Sequence, residues 1–93
     1  MNRYLLHGLG QTPESWNKTL AALGAPADCP DLRGLLSGKS ALYPELYKAL
    51  CEYLPADGKF SLCGLSLGGI LALNYAADFP TSVHSLVLIG PQY

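Results

Sequence analysis

Residues 60–77 restrict the possible folds more than any other stretch. Phe60-Ser61-Leu62-Cys63 is a compact apolar strand, Gly64-Leu65-Ser66-Leu67-Gly68-Gly69 follows it without a linker, and residues 70–77 are apolar nearly all round. A helix with no polar side has no face to offer water, so it must be pressed against a sheet. The rest of the chain repeats this alternation. Residues 3–7 form a short run ending at Gly8-Leu9-Gly10, whose glycines permit sharp turns after a strand. Thr12-Pro13-Glu14 reads as a helix start running to about Leu23, with Gly24 as the stop. Residues 27–30 predict a short polar strand closed by Asp31-Leu32-Arg33-Gly34. After a Gly/Ser-containing loop, Pro44 opens a helix in which Leu46, Ala49, Leu50, Tyr53 and Leu54 recur at helical spacing; Pro55 and the Asp57-Gly58 turn end it. Val83–Ile89 is a final strand so rich in Val, Leu and Ile that both of its faces must be covered. Alternation with buried strands predicts an α/β fold, a doubly wound, mainly parallel sheet of about four strands and three helices.

Size and charge narrow the functional classes. Ninety-three residues are one small domain at most, and 49% hydrophobic content excludes a disordered chain. A net charge of −1 without a Lys/Arg cluster leaves nothing to neutralise a run of phosphates, so nucleic acid and membrane surfaces are poor partners. No apolar run approaches the roughly 18 residues of a membrane span, and the N-terminus lacks a signal-peptide core. Cys29, Cys51 and Cys63 are odd in number and lack metal-site spacing, which predicts buried reduced thiols, no metal site and a cytoplasmic location. No cofactor is expected.

The chemistry is concentrated at Gly64-Leu65-Ser66-Leu67-Gly68, a G-x-S-x-G pattern that the chain's own composition yields about 0.08 times by chance. Between an apolar strand and a buried helix, such a turn forces Ser66 into a strained backbone and lifts its hydroxyl above the sheet edge. Gly64 and Gly68 give strand and helix room to pass. The Leu67 amide, opening the helix, points to where an oxyanion forms. His7-Gly8-Leu9-Gly10 closes the first strand at the same edge, so the Leu9 amide is a second candidate donor. Against this stands a Gly/Ser turn that only joins strand to helix.

Several segments, in order, resemble the N-terminal part of an α/β-hydrolase-fold serine hydrolase. His7-Gly8, with Trp16 following, is similar to that family's oxyanion segment; Pro30-Asp31-Leu32-Arg33-Gly34 to its P-D-x-R-G loop; and Gly64–Gly69 with Leu73-Asn74-Tyr75-Ala76 to its nucleophile elbow and helix. Residues 83–90 resemble the strand that follows. The resemblance implies Ser66 as nucleophile of a Ser-His-Asp/Glu triad, an ester or related acyl substrate, and His7 and Gly8 as shapers of the oxyanion loop. The triad acid and histidine are absent from these 93 residues. His84 begins the last strand while Ser66 follows the end of a parallel one, which separates them by about 20 Å. His7 is read as structural, Asp31 as a loop brace, and Trp16 as packing.

With the family's strand order, residues 1–93 make one incomplete core domain whose last strand is an exposed edge. The chain is then a truncated form of a longer hydrolase, or pairs with itself through that edge. Two other functions compete. Gly8-Leu9-Gly10-Gln11-Thr12-Pro13, with Asp28 or Asp31 about 20 residues on, has the outline of a dinucleotide-binding turn, although Pro13 stands where the third glycine belongs. An inactive remnant serving as an interaction domain is the other. Tyr43, Leu65 and Tyr93 are positional candidates for contact with an acyl group.

Overall fold

The computed structural model describes residues 2–36, 43–55 and 59–90. The Asp57-Gly58 turn and Tyr93 lie outside these. Three strands, β1 (Asn2–Leu6), β2 (Phe60–Leu65) and β3 (Val83–Ile89), form a parallel sheet in the order β1-β2-β3. Pairing runs from Asn2↔Phe60 to Leu6↔Gly64 and from Phe60↔Val83 to Leu65↔Ile89, with an irregularity between Phe60 and Ser61. The α/β class and parallel sheet are as the alternation predicts.

The strand predicted over residues 27–30 is reduced to a bridge between Asp28 and Tyr4, made by Leu5 N–H to the Asp28 carbonyl and Asp28 N–H to the Arg3 carbonyl. Pro26 and Pro30 flank it and cannot donate to a ladder, which limits the pairing to that one residue. Pro13–Trp16 is a 3-10 turn that leads into α1 (Asn17–Leu23), which ends on a left-handed Gly24 at φ 66°. A short α2 (Leu32–Leu36) stands where a loop was expected. Asp31 starts it: its carboxylate accepts the Arg33 N–H at 3.1 Å and its carbonyl the Leu35 N–H at 3.0 Å. The other helices are α3 (Tyr43–Tyr53) and α4 (Leu67–Asp78).

The core lies on the face of the sheet that α3 and α4 cover. Alternation along the strands sends Tyr4, Leu6, Phe60 and Leu62 to that face, where they meet Leu46, Leu50, Leu71, Ala72 and Tyr75. A polar clasp ties the two helices. The Tyr47 hydroxyl donates to Asp78 Oδ2 at 2.5 Å, and Asn74 Nδ2 donates to the Tyr43 hydroxyl.

The opposite face is only partly covered, by α1. A hollow of about 280 Å³ lies between Thr19 and Leu23 of α1 and Leu5, Cys63 and Val87 of the sheet. Val87 is 53% and Ile89 44% exposed. The expectation that both faces of β3 are covered is therefore corrected: Leu86 and Leu88 pack on the core, and their alternates face outward. The three cysteines are free and half-buried rather than buried, and burial pushes each thiol above its ordinary range. Among the described residues, no helix is long and apolar enough to cross a membrane.

Candidate active site

Parallel pairing brings the C-terminal ends of β1 and β2 to one sheet edge, and there residues 7–10 meet the turn at Ser66. The contact is close. A Cβ on Gly8 would lie 3.3 Å from both the Leu65 carbonyl and the Ser66 Cβ. Ser66 has φ 55° and ψ −114°, and among the described residues no other non-glycine has a positive φ. Such a backbone costs on the order of 1–3 kcal/mol and persists only where its surroundings fix it. They do so from both sides: Ser66 N–H donates to the Ile89 carbonyl at 2.9 Å, and the Ser66 carbonyl accepts Gly69 N–H at 2.9 Å and Ile70 N–H at 3.1 Å. The residue is partly exposed, and its hydroxyl has no hydrogen-bond partner among the described residues.

Both flanking glycines are sterically required. A Cβ on Gly64 would stand 2.6 Å from the Gly69 nitrogen, because β2 and the first turn of α4 cross there. A Cβ on Gly68 would stand 2.7 Å from the His7 carbonyl oxygen, so α4 is drawn onto the end of β1. Gly68 thus makes room for β1 rather than for β2, and through it the elbow and the 7–10 loop are seated on each other.

That loop holds its shape by its own bonds. Gly8 N–H donates to Gln11 Oε1 at 2.8 Å, Gln11 N–H to the Gly8 carbonyl at 3.1 Å, and Gly10 takes φ 78°. His7 is 3% exposed and both ring nitrogens have backbone partners: Nδ1 donates to the Gly8 carbonyl at 2.9 Å, and Nε2 accepts Leu32 N–H at 3.1 Å. With Nε2 taken, the Asp31 carboxylate 4.0 Å away is a neighbour and not a hydrogen-bond partner. His7 therefore fastens the loop to α2, and it has no lone pair left for Ser66. His84 sits at the start of β3, the opposite end of the sheet from Ser66.

Leu9 projects 83% exposed, and neither its N–H nor that of Leu67 is used in a backbone hydrogen bond among the described residues. For Leu67 the reason is general, since the first N–H groups of a helix have no preceding carbonyl. Next to these amides lies a cavity of about 300 Å³ lined by residues 7–11, Leu32, Arg33, Leu46 and Leu67. Sequence reading missed Gln11, Leu32, Arg33 and Leu46 as lining, because α2 and α3 reach this edge only through tertiary packing. Tyr43 does not reach it: its ring stacks on Tyr47 and its hydroxyl meets Asn74. A larger hollow of about 410 Å³, around Asn2, Arg3 and Asp28, opens at the other end of β1. The dinucleotide reading loses its footing, because residues 8–12 lead into a 3-10 turn and so present no α-helix N-terminus to a pyrophosphate. The buried Trp16 leads that turn into α1, and its indole N–H has no partner among the described residues.

The sequence model of the Alpha/beta hydrolase family matches residues 4–93. The chain belongs to the alpha/beta hydrolase family. Among curated relatives of this alpha/beta hydrolase chain, a pimeloyl-[acyl-carrier protein] methyl ester esterase of Aromatoleum aromaticum is 41% identical over 97% of the chain and 38% of its own length. An esterase of Mycobacterium tuberculosis is 35% identical over 90% of the chain and 30% of its own length. The chain thus spans 38% and 30% of the length of these relatives. In fold it is similar to a pyrethroid hydrolase from Sphingobium faniae (TM-score 0.72, 24% identity, 98% of this chain and 40% of that one). An extracellular alpha/beta-hydrolase from a Paenibacillus species gives a TM-score of 0.72 at 22% identity, over 100% of this chain and 42% of that one.

Proposed function

We propose that this chain carries the nucleophile and oxyanion half of a serine ester hydrolase. The observation behind this reading is the strained Ser66 backbone seated against the 7–10 loop, which gathers one unpaired hydroxyl and two unpaired N–H groups at one sheet edge. Ser66 Oγ adds to the ester carbonyl and gives its proton to a general base supplied from outside these 93 residues. The tetrahedral oxyanion accepts hydrogen bonds from the Leu9 and Leu67 N–H groups. Collapse expels the alcohol and leaves an acyl-serine, which water hydrolyses to the acid. Gly64, Gly68 and Gly8 allow the approach, and His7 holds the loop.

Without the base, turnover falls by a factor on the order of 10⁴ to 10⁶, so a stoichiometric label is the suitable probe. A fluorophosphonate should modify Ser66, shown by peptide mass, and Ser66→Ala should abolish the adduct. Absence of any adduct on the folded chain at high probe concentration rejects the reading.

The exposed Val87 and Ile89, on a strand whose outer edge has no partner strand among the described residues, favour one further role, self-association at β3.

A further inference from the structure

We propose that the cavity beside Ser66 selects esters whose acyl chain ends in an anion, with Arg33 as the specificity-determining residue; this rests on the ester-hydrolase reading and names its substrate class. The lining divides into two kinds. Leu9, Leu32, Leu46 and Leu67 give an apolar wall fit for methylenes. Arg33 is the one Lys, Arg, Asp or Glu in that lining, and both nitrogens of His7 are engaged with backbone. The Arg33 guanidinium has no ion pair among the described residues, and the adjacent acid, Asp31, directs Oδ1 to the Arg33 backbone N–H and not to its side chain.

Gln11 adds donors of the same sense. Its Oε1 accepts Gly8 N–H, so its NH₂ is the part left for the cavity. Leu67 opens the N-terminus of the 12-residue α4, whose dipole also favours negative charge. An anion placed here therefore meets a planar guanidinium fork with geometry suited to a carboxylate, and no opposing charge in the lining. A cavity of about 300 Å³ is at the small end of ligand sites, which suits a short half-ester.

The test pairs two ligands of one backbone, monomethyl glutarate and dimethyl glutarate, titrated into the ¹⁵N-labelled chain while the Leu9, Gln11 and Leu67 amides are followed. The half-ester should bind at least tenfold tighter than the diester. Arg33→Gln should remove that preference, Arg33→Lys should keep part of it, and added salt should weaken it. Circular dichroism checks that the variants fold. Equal affinities, a preference that survives in Arg33→Gln, or no binding of either ligand overturns the inference. Fluorophosphonate labelling of Ser66, run alongside, reports on the hydrolase reading separately: a labelled serine with no half-ester preference rejects the anion site alone.

Discussion

Ser66 is held by bonds to Ile89, Gly69 and Ile70 in a conformation that a side chain resists. Because the strain belongs to having a Cβ at φ 55°, Ser66→Gly should melt above Ser66→Ala, by about 1 kcal/mol in denaturant titration, while both lose the fluorophosphonate adduct. An alanine variant as stable as the glycine one would show that the turn is relaxed. Gly68→Ala drives a methyl into the end of β1 and should cost about 3 kcal/mol or prevent folding, with the greatest loss of amide protection in residues 5–10. His7→Ala leaves the Leu32 N–H buried without its acceptor, which should destabilise by about 1–3 kcal/mol. Protection loss in that variant should reach α2 as well as the loop.

At the level of elements, the clasp between α3 and α4 makes a pH prediction. Burial, followed by the hydrogen bond to Asp78, raises the Tyr47 hydroxyl above the ordinary tyrosine value. A group whose folded pKa exceeds its unfolded one contributes stability that is present below the unfolded value, near 10, and is lost as pH rises beyond it. Chemical denaturation from pH 8 to 11 should therefore show stability falling above about pH 10, and Tyr47→Phe should flatten that fall. The same variant should lose about 1 kcal/mol at neutral pH through the missing hydrogen bonds. Elements with strong periodicity were readable from sequence: α3 from Leu46, Ala49 and Leu50, α4 from its apolar girth, and β2 from residues 60–63. The failures have local causes. Two prolines restrict the strand near Asp28 to one bridge, and α2 depends on a cap and on His7, twenty-five residues away, which no short window contains. At the elbow, the steric need at Gly64 and the strained turn at Ser66 were readable because both are local, whereas the room that Gly68 leaves is for β1, far away in sequence. Gln11, Leu32, Arg33 and Leu46 were not readable, since only packing brings their segments to the same cavity.

At the scale of the whole molecule, the sheet is finished on one side and open on the other. Leu86 and Leu88 of β3 are packed on the core while Val87 and Ile89 face outward, and its outer edge has no partner strand among the described residues. Light scattering at rising concentration should show self-association, and Val87→Lys should reduce it without lowering the melting temperature, because position 87 is already exposed. A monodisperse monomer at high concentration would reject edge pairing. The register also sets the timing of biosynthesis. Asn2 pairs with Phe60, so β1, once synthesised, waits for its neighbour through almost sixty further residues. At about 5–20 residues per second, that interval is roughly 3–12 seconds. During it, Tyr4, Leu5 and Leu6 form a nascent apolar stretch with no sheet to join, and this is where a chaperone would find a foothold.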